Sequence, residues 1–496
     1  MPGKGVTEGG AILVIDAGTT SNRAMVFALD GTVQAIAQRP LTQHYPRPGR
    51  VEHDAEEIWQ GVLACARQAV TQAGGVDRIA AIGIANQRET VVAWDRASGK
   101  PLTRAIVWQD RRTASACEAL REAGHESAVQ AATGLILDPY FSATKMGWLL
   151  DNVPEVQAAG EAGRLALGTV ESWLLYKFTG GAHRSDASNA SRTSLMGLAA
   201  SGWDEGLCDL FGVPRTALPE ICDCAGQIGT ALPDWLGASI PVTGMAGDQQ
   251  AATVGQACLA RGETKATYGT GAFVLANMGS DVPSSAHRLL ATVLWQLGGE
   301  RAYALEGSVF VAGSLVQWLR DNLGLIDAAA ETEDLARSVP DSGGVVIVPA
   351  LSGLGAPHWR ADARAAITGC TFATTRAHLA RAALEAMAMQ TRDLAEAFAA
   401  DGARWTALRI DGGMSANDWM AQDLADVLAL PVERPAFIET TALGAGMLAA
   451  LGAGLFSSLE EAALAMGGKR ETFSPAMPAE VRAARVGDWA RALASL

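Results

Sequence analysis

The sequence Ala-Ile-Leu-Val-Ile-Asp-Ala-Gly-Thr-Thr-Ser-Asn-Arg-Ala-Met-Val-Phe-Ala occupies residues 11–28. Its first five residues are an apolar run that suits a buried strand, and a second strand is expected over residues 23–28. The linker between them brings an acid, a glycine and three hydroxyl groups into one turn. After a second turn at Asp30-Gly31, residues 33–38 complete a predicted three-stranded meander.

The first turn of this meander has the chemistry of a phosphate site. Gly18 lets the backbone approach a ligand closely, and Thr19, Thr20 and neighbouring N–H groups can donate to phosphate oxygens. Asp16 ends the first strand, where a carboxylate can hold a hydrated magnesium ion, and Arg23 can neutralise a phosphate. An ordinary turn is the alternative, because Asp and Gly are also common in turns without ligands.

A similar strand, Gly/Thr turn and strand follow about half a chain later. Strands are expected at residues 263–268 and 272–278 around the turn Gly269-Thr-Gly271, and at residues 289–297 and 301–306. This weak internal repeat indicates two duplicated domains rather than an array of short repeats. A helix is expected over residues 308–323, and an irregular loop over residues 222–239.

An acidic loop lies between the two hairpins. It reads Gly-Met-Ala-Gly-Asp-Gln-Gln-Ala-Ala over residues 244–252. Two glycines free the backbone before Asp248, and the residues after it make a good helix opening. Asp248 is therefore expected at the N-cap or in the first turn of a helix, with its carboxylate facing a cleft. A simple helix cap is the alternative interpretation.

Two further predicted strands end in polar clusters. The strand at residues 79–85 leads to Asn86-Gln-Arg-Glu-Thr90, and residues 105–108 lead to Gln-Asp-Arg-Arg at residues 109–112. Such clusters are either solvated loops or the edge of a binding site, and Arg88 beside Glu89 could be only a surface pair.

Length and composition restrict the class of protein. A chain of 496 residues, 49% of them hydrophobic, suggests two large domains with substantial cores. The net charge of −14 without a basic block argues against nucleic acid and anionic membranes. Seven scattered cysteines favour reduced thiols in the cytoplasm. Residues 1–10 are expected to be a disordered polar tail without a signal-peptide core.

One long uncharged run extends from Thr440 to Leu459. It is rich in Ala and Gly and has no basic flank, so a buried, closely packed helix is favoured over a membrane span. Motif searches exclude several enzyme classes, because the P-loop, dinucleotide-binding, zincin and nucleophile-elbow patterns are all absent from the sequence.

The two hairpins, the acid between them and a late Asp411-Gly-Gly413 resemble the actin-like, ribonuclease-H-fold kinases. Residues 140–152 and 365–385 look like the two signatures of the FGGY carbohydrate kinases. The resemblance extends from about Ala11 to Glu461. It implies an α/β protein with two ribonuclease-H-like domains around a central cleft. The N-terminal domain, residues 11–256, would carry the acceptor site and the catalytic acid, and the C-terminal domain, residues 257–496, would bind the nucleotide.

Within this family, residues 86–90, 105–113, 244–250 and 267–271 are similar to strings of the members that phosphorylate glycerol. The resemblance therefore implies ATP-dependent phosphorylation of glycerol with Mg²⁺, in a cytoplasmic dimer or tetramer. Dihydroxyacetone, erythritol or a pentulose is the alternative acceptor. A nucleotide-binding regulator without sugar chemistry is a rival of another class.

The resemblance also assigns roles to individual residues. Asp248 would be the general base, and Asp16 would hold Mg²⁺ through water. The residues around the acceptor would be Arg88, Glu89, Trp108, Tyr140, Asp248, Gln249 and Phe273. The residues around the nucleotide would be Thr19, Thr20, Ser21, Arg23, Gly269, Thr270, Gly271, Gly313, Gln317, Gly412, Gly413 and Asn417. The sequence departs from the family pattern at Ala17, His358, Arg360 and Cys370.

Overall fold

The computed structural model of the protein describes residues 10–360 and 362–496. The tail expected at residues 1–10 lies outside these residues, except for Gly10.

The α-helices of the described residues are α1 (Ala55–Gln72), α2 (Ala114–Glu122), α3 (Glu126–Thr133), α4 (Ser142–Asn152), α5 (Pro154–Glu161), α6 (Val170–Thr179), α7 (Ala187–Ala190), α8 (Glu205–Leu210), α9 (Pro233–Leu236), α10 (Asp248–Gly255), α11 (Gly313–Asp321), α12 (Glu331–Arg337), α13 (Arg376–Ala400), α14 (Asp418–Leu428), α15 (Thr440–Gly452), α16 (Leu459–Met466) and α17 (Ala479–Ala494).

The β-strands are β1 (Ala11–Ala17), β2 (Ser21–Phe27), β3 (Val33–Pro40), β4 (Glu52–His53), β5 (Ile79–Asn86), β6 (Val92–Asp95), β7 (Lys100–Pro101), β8 (Ala105–Ile106), β9 (Leu165–Gly168), β10 (Arg184–Asp186), β11 (Glu220–Cys222), β12 (Ala225–Ala231), β13 (Ile240–Gly247), β14 (Thr264–Tyr268), β15 (Ala272–Gly279), β16 (Leu290–Leu297), β17 (Glu300–Val309), β18 (Val346–Val348), β19 (Ala366–Thr368), β20 (Leu408–Asp411), β21 (Val432–Pro435) and β22 (Arg470–Phe473).

A six-stranded sheet organises the N-terminal half, in the order β12-β13-β5-β1-β2-β3. The first three strands pair antiparallel, as the predicted meander requires. By contrast, β5 runs parallel to β1, and β13 runs parallel to β5. Parallel strands are buried on both faces, which explains the continuous apolar runs at residues 11–15 and 79–85.

A seven-stranded sheet organises the C-terminal half, in the order β16-β17-β15-β14-β20-β21-β22. Here β14 and β15 form an antiparallel hairpin, and β20 and β21 continue parallel to β14. Both sheets therefore place an antiparallel meander beside two parallel strands and end on an antiparallel edge strand. The duplicated organisation predicted from the two Gly/Thr turns is confirmed.

Helices cover both faces of the six-stranded sheet. On one face α1 and α6 bury residues such as Trp59 and Trp173 against Leu13 and Ile84. On the other face α15, which comes late in the chain, packs its alanines and Met447 against Ile12 and Val14. The seven-stranded sheet has its own core with α13 and α14. A helix from the last fifth of the chain thus stabilises the first sheet.

The helices α10 and α15 cross at very short range. A Cβ atom on Gly444 would lie 1.8 Å from the carbonyl oxygen of Ala251, and one on Gly255 would lie 2.0 Å from that of Thr440. Only glycine permits this approach. The predicted close packing of the uncharged run is confirmed for α15. Within residues 10–360 and 362–496, no helix combines the length and apolar character needed to cross a bilayer.

Two sequence-based expectations were wrong in their local structure. Residues 308–309 continue β17, because they complete its ladder with Ala272 and Phe273, and the helix begins only at Gly313. Residues 222–239 are not an irregular loop, because β12 pairs antiparallel with β13 and α9 follows. The Gly- and Ala-rich composition of this region gave no alternating pattern by which a strand could be recognised.

Candidate active site

The candidate site begins at the carboxyl ends of the three parallel strands of the first sheet. The pairing places Ala17 opposite Asn86, and Asn86 opposite Gly247. The turn after β1, the polar cluster after β5 and the acidic loop after β13 therefore lie at one edge. Open α/β sheets bind ligands at such edges.

Asp248 is the first residue of α10, and Gly247 is the N-cap, so the first-turn alternative is confirmed. Its Oδ1 lies 3.2 Å from Arg88 Nε and accepts a hydrogen bond from the Gln249 N–H at 2.7 Å. The side chain is 32% exposed, so an edge of the carboxylate remains open to solvent. Desolvation raises the pKa of Asp248, although Arg88 and Lys265 oppose this effect. Such a carboxylate can accept a proton.

Arg88 and Glu89 belong to a buried network of charges, not to a surface pair. Arg88 Nη1 donates to Glu306 Oε2 at 2.5 Å, and Arg192 Nη2 donates to Glu306 Oε1 at 2.9 Å. Arg192 Nε also donates to Glu89 Oε1 at 2.7 Å. Two guanidinium groups thus balance two carboxylates, which is the condition under which buried charges are tolerated. Because Glu306 lies on β17, the network joins the two sheets.

Glu89 has a positive φ of 60°, a backbone conformation that non-glycine residues rarely adopt. Its carboxylate is held by Arg192, and its carbonyl oxygen accepts from Ser142 Oγ at 3.0 Å. Burial raises the pKa of Glu89, with Arg88 and Arg192 opposing the shift. Strained backbone of this kind persists where surrounding contacts determine it, and it is concentrated at functional sites.

Aromatic side chains form a wall beside these charges. The rings of Trp108 and Tyr140 meet edge to face, with centroids 5.5 Å apart. Trp108 Nε1 donates to Thr19 Oγ1 at 2.9 Å, which ties the wall to the first Gly/Thr turn. Lys145 is buried behind the wall, and its Nζ donates to the Tyr140 carbonyl oxygen at 2.8 Å. Phe273 is half-buried on β15, opposite Thr267.

Gln249 is held by a buried lysine. Lys265 Nζ donates to Gln249 Oε1 and, at 2.9 Å, to Thr267 Oγ1. Burial lowers the pKa of Lys265, whereas Asp411 and Asp248 oppose the shift. A cation from the second sheet therefore orients a residue of the helix that begins at Asp248.

Asp16 is the second-last residue of β1 and lies in an acidic environment. Burial raises its pKa to about 6; Arg23 opposes the shift, and Asp248 and Glu439 add to it. Such a site favours a cation that would compensate the buried negative charge. Among the side chains that the structure describes, no three His, Cys, Asp or Glu residues are grouped to ligate a metal directly. The arrangement fits Mg²⁺, which binds through one or two carboxylates and keeps several waters.

The first Gly/Thr turn is shaped by its own backbone. Gly18 N–H donates to the Ser21 carbonyl oxygen at 3.0 Å, and Thr20 is exposed. Ser21 Oγ accepts from Gln38 Nε2 at 2.9 Å. Arg23, on β2, forms an ion pair with Glu439, the residue before α15, so its guanidinium contacts the second half of the chain.

The second Gly/Thr turn and the Asp-Gly-Gly segment meet at the edge of the second sheet, where Thr267 lies opposite Asp411. Gly313 begins α11, and its N–H donates to the Gly269 carbonyl oxygen at 2.9 Å. A Cβ atom on Gly313 would lie 2.5 Å from that oxygen, so glycine is required there. A Cβ on Gly413 would meet no atom within 4 Å, which leaves its backbone open to a ligand.

The two remaining residues predicted to lie around the nucleotide, Gln317 and Asn417, lie on α11 and at the start of α14, in the second half of the chain. Gln317 is exposed on α11. The side-chain oxygen of Asn417 caps α14 by accepting from the Met420 N–H at 2.9 Å. Of the departures from the family pattern, His358 Nε2 contacts Asp393 Oδ2 at 2.9 Å, and Cys370 is exposed.

Sequence reasoning missed several residues of the site. Glu306, Lys265, Glu439 and Arg192 are not among the site residues that the sequence predicts. A charged residue inside an apolar strand was the available signal, since Lys265 and Glu306 both lie on buried strands. Charges are rarely buried unless they are paired or functional.

Comparisons with known proteins agree with this geometry. Residues 11–255 match the N-terminal domain model of the FGGY family of carbohydrate kinases, and residues 264–453 match its C-terminal domain model. The chain is 54% identical to a glycerol kinase of Rhodospirillum rubrum over 488 residues, which cover 97% of this chain and 98% of that protein. It is 55% identical to a glycerol kinase of Alcanivorax borkumensis over 97% of both chains.

Solved structures show the same fold. A glycerol kinase of Plasmodium falciparum with ADP superimposes with a TM-score of 0.92 at 36% identity, covering 98% of each chain. A xylulose kinase of Lactobacillus acidophilus has a TM-score of 0.86 at 20% identity, covering 98% of this chain and 97% of that one. The predicted two-domain α/β class is confirmed. The chain belongs to the FGGY family of carbohydrate kinases.

Proposed function

We propose that this chain transfers the γ-phosphoryl group of ATP to glycerol and releases sn-glycerol 3-phosphate and ADP. The observation that carries the proposal is the convergence of Arg88, Glu89 and the open edge of Asp248 beside the Trp108–Tyr140 wall. Identity above 50% to glycerol kinases over nearly the whole chain supports the choice of acceptor. Glycerol-dependent release of ADP would distinguish this enzyme from a nucleotide-binding regulator.

The acceptor site combines charges with an apolar face. A small polyol has hydroxyl groups that can both donate and accept, so it can donate to the carboxylates of Glu89 and Asp248 and accept from Arg88. Its carbon backbone would lie against Trp108 and Tyr140. Buried polar groups of this kind disfavour analogues that leave them without a partner.

The chemical step needs a positioned hydroxyl and a proton acceptor. The acceptor oxygen attacks the γ-phosphorus, the bond from that phosphorus to the bridging oxygen breaks, and the electron pair leaves with ADP. The hydroxyl proton passes to the Asp248 carboxylate, whose raised pKa suits this role. Phe273 and Gln249 would complete the enclosure from the second sheet and from α10.

Phosphate groups would be held by the two Gly/Thr turns. Thr19, Thr20, Ser21 and Arg23 would contribute from the first turn, and residues 269–271 from the second. Gly412 and Gly413, with Gly313, Gln317 and Asn417, would surround the nucleoside. Magnesium, held by Asp16 through water, would neutralise charge on the transferred group.

Replacement of Trp108 tests the acceptor wall. Trp108→Ala removes the ring that faces Tyr140 at 5.5 Å, and we expect it to raise KM for glycerol by roughly ten-fold and to relax selectivity towards four-carbon polyols. Steady-state kinetics with glycerol and erythritol would measure both effects. Trp235→Ala is the matched control. Trp235 lies on α9, and its ring forms a similar edge-to-face pair with Trp59. Equal kinetics of the Trp108 and Trp235 variants would contradict the assignment.

Replacement of Asp16 tests the magnesium site without an activity assay. The pKa of Asp16 is about 6 in the folded protein against an ordinary value of 3.8, so its charged form opposes folding above pH 6. We expect Asp16→Asn to raise the free energy of unfolding by about 1–2 kcal/mol at pH 7.5 without Mg²⁺. The gain should shrink as the pH falls through 6 and disappear near 4.

Magnesium should reverse the order of stability. In the presence of saturating nucleotide, added Mg²⁺ should stabilise the wild type further and add nothing to the stability of Asp16→Asn. The exposed Asp77, at the opposite end of β5, provides the control substitution. If Asp16→Asn and Asp77→Asn show the same pH and Mg²⁺ dependence, Asp16 is not the metal residue.

Assembly and location are part of the proposal. All seven cysteines are free thiols, which supports a cytoplasmic enzyme. The association into a dimer or tetramer, and the division into domains at residue 256, remain predictions.

A further inference from the structure

A chain of buried polar side chains lies behind the two loops that carry the acceptor residues and the proposed base. Its members have at most 1% of their surface exposed and come from β5, α6, the end of β10 and α7. They are Asn86, Glu171, Asp186, Ser188 and Asn189.

One end of this chain holds Asn86, the last residue of β5. The amides of Asn86 and Asn189 bond to each other reciprocally, with both N···O distances 3.0 Å. Asn86 Nδ2 also donates to Glu171 Oε2 at 2.9 Å, and Glu171 Oε1 accepts from the hydroxyls of Thr169 and Ser185. These bonds fix Asn86, and the segment that carries Arg88 and Glu89 begins directly after it.

The other end holds Gly247, the residue before Asp248. Asp186 Oδ1 accepts from Asn189 Nδ2 at 2.6 Å, and its Oδ2 accepts from the Ser188 N–H at 2.8 Å and from the Ser188 hydroxyl. The Ser188 hydroxyl oxygen in turn accepts from the Gly247 N–H at 3.0 Å. The position of the backbone before the proposed base is therefore set by the same segment that holds Asn86.

The two carboxylates of this chain have an unusual environment. Their hydrogen-bond partners in the described residues are amides, hydroxyls, backbone N–H groups and the thiol of Cys224. Burial raises the pKa of Glu171 above its usual range, and the nearby Asp186 adds to the shift. Acids buried without a cation cost free energy, so a purely structural core would gain from apolar residues at these positions.

We infer that the segment from Asp186 to Asn189, together with Glu171, is a positioning device that sets the distance between the acceptor-binding residues and Asp248. This inference rests on the proposed function and extends it to residues that touch neither substrate. Ser188 acts on the proton transfer through Gly247, whereas Glu171 and Asn189 act on acceptor binding through Asn86. The two branches therefore predict different kinetic consequences.

The Ser188 branch is tested by a double-mutant cycle. Ser188→Ala should lower kcat by roughly ten-fold and leave the Kd of glycerol nearly unchanged, because small displacements of a catalytic group reduce the rate strongly. In an Asp248→Asn background, Ser188→Ala should cause no further loss, because the group that it positions is already disabled. Ser191→Ala is the control, since Ser191 is equally buried and donates to the Ser188 carbonyl oxygen but does not lie on this path.

The Glu171 branch is tested by binding. Glu171→Ala should raise the calorimetric Kd of glycerol by roughly ten-fold in both Asp248 backgrounds, because the branch acts on acceptor binding and not on the base. Glu171→Gln should keep the Kd of glycerol close to the wild-type value. Its amide oxygen can accept from Asn86, while its NH₂ group donates to the hydroxyls of Thr169 and Ser185. This conservative variant preserves the shape of the core if Glu171→Ala does not fold.

Two results would overturn the inference. One is an equal effect of Ser188→Ala on kcat with and without Asp248, or an effect no larger than that of Ser191→Ala. The other is a normal glycerol Kd for Glu171→Ala, or an equally raised Kd for the Ala and Gln variants. Wild-type protein without glycerol-dependent ADP release would refute the proposed function instead. In that case the same double-mutant cycle, run with the acceptor that the wild type does phosphorylate, would show whether Ser188 positions Asp248.

Discussion

Asp248→Asn is expected to lower kcat for glycerol phosphorylation by on the order of 10²-fold or more. The amide keeps the shape of the side chain and its place at the start of α10, but it cannot accept the hydroxyl proton. Arg88, which lies 3.2 Å from the carboxylate, would remain paired with Glu306. The substitution should therefore remove the proton acceptor without dismantling the site.

Three measurements separate this effect from misfolding. The Kd of a nucleotide, measured by calorimetry, should change little, because the two Gly/Thr turns remain intact. Asp95→Asn is the matched control, since Asp95 is a buried acid paired with Arg164 outside the cleft and should have no effect on kcat. A thermal unfolding midpoint close to that of the wild type would show that the fold is retained. Unchanged turnover in Asp248→Asn would remove Asp248 as the base.

Glu306→Leu should have the largest effect on stability. It leaves Arg88 and Arg192 buried without their shared carboxylate, which is expected to cost about 3–5 kcal/mol of unfolding free energy. Glycerol affinity should fall as well, because Arg88 would no longer be fixed. Urea unfolding and calorimetry would measure the two losses, and Glu306→Gln should show a smaller loss of stability.

The pH dependence of this stabilisation has a definite sign. Burial opposes ionisation of Glu306, but Arg192 and Arg88 hold its pKa below the usual value for glutamate. Its contribution is therefore complete above the ordinary glutamate pKa and is lost as the pH falls through the lowered value. The difference in stability between the wild type and Glu306→Gln should narrow in acid.

A second buried glutamate provides the control. Glu385 is a buried residue of α13 and pairs with Arg381 at 3.0 Å, in the second half of the chain. Glu385→Leu also removes a buried acid from its arginine partner, but it should leave the Kd of glycerol unchanged for the folded fraction. If Glu306→Leu and Glu385→Leu affect glycerol binding equally, the bridge between the two sheets has no role in the acceptor site.

Local patterns made much of the fold predictable. The apolar runs at residues 11–15 and 79–85, the turn at Asp30-Gly31 and the uncharged run after Thr440 each specify their own element within a few residues. The Gly/Thr turns were recognisable because glycine and hydroxyl residues there serve both the turn and a ligand. The strand β12 was missed because its Gly- and Ala-rich sequence depends on pairing with β13.

The site was predictable only where its residues come in strings. Arg88, Glu89 and Asp248 stand in recognisable polar clusters, whereas Glu306 and Lys265 are single charges on strands of the second sheet. Arg88 and Arg192, which pair with Glu306, lie on other elements far earlier in the chain, and Lys265 contacts Gln249 on α10, so no periodic pattern connects these partners. The packing of α15 on the first sheet is equally non-local, since it depends on close contacts of its backbone with Gly83 and Gly244 of the sheet strands.

A panel of acceptors, assayed with ATP and Mg²⁺ on the wild-type protein, tests the proposed phosphorylation of glycerol directly. Initial rates of ADP release would give kcat/KM for glycerol, dihydroxyacetone, glyceraldehyde, erythritol, xylulose and gluconate. We expect the highest value for glycerol, weaker turnover of dihydroxyacetone and glyceraldehyde, and values near background for xylulose and gluconate. A higher kcat/KM for erythritol or a pentulose than for glycerol would contradict the glycerol assignment, and no acceptor-dependent ADP release at all would contradict the kinase itself.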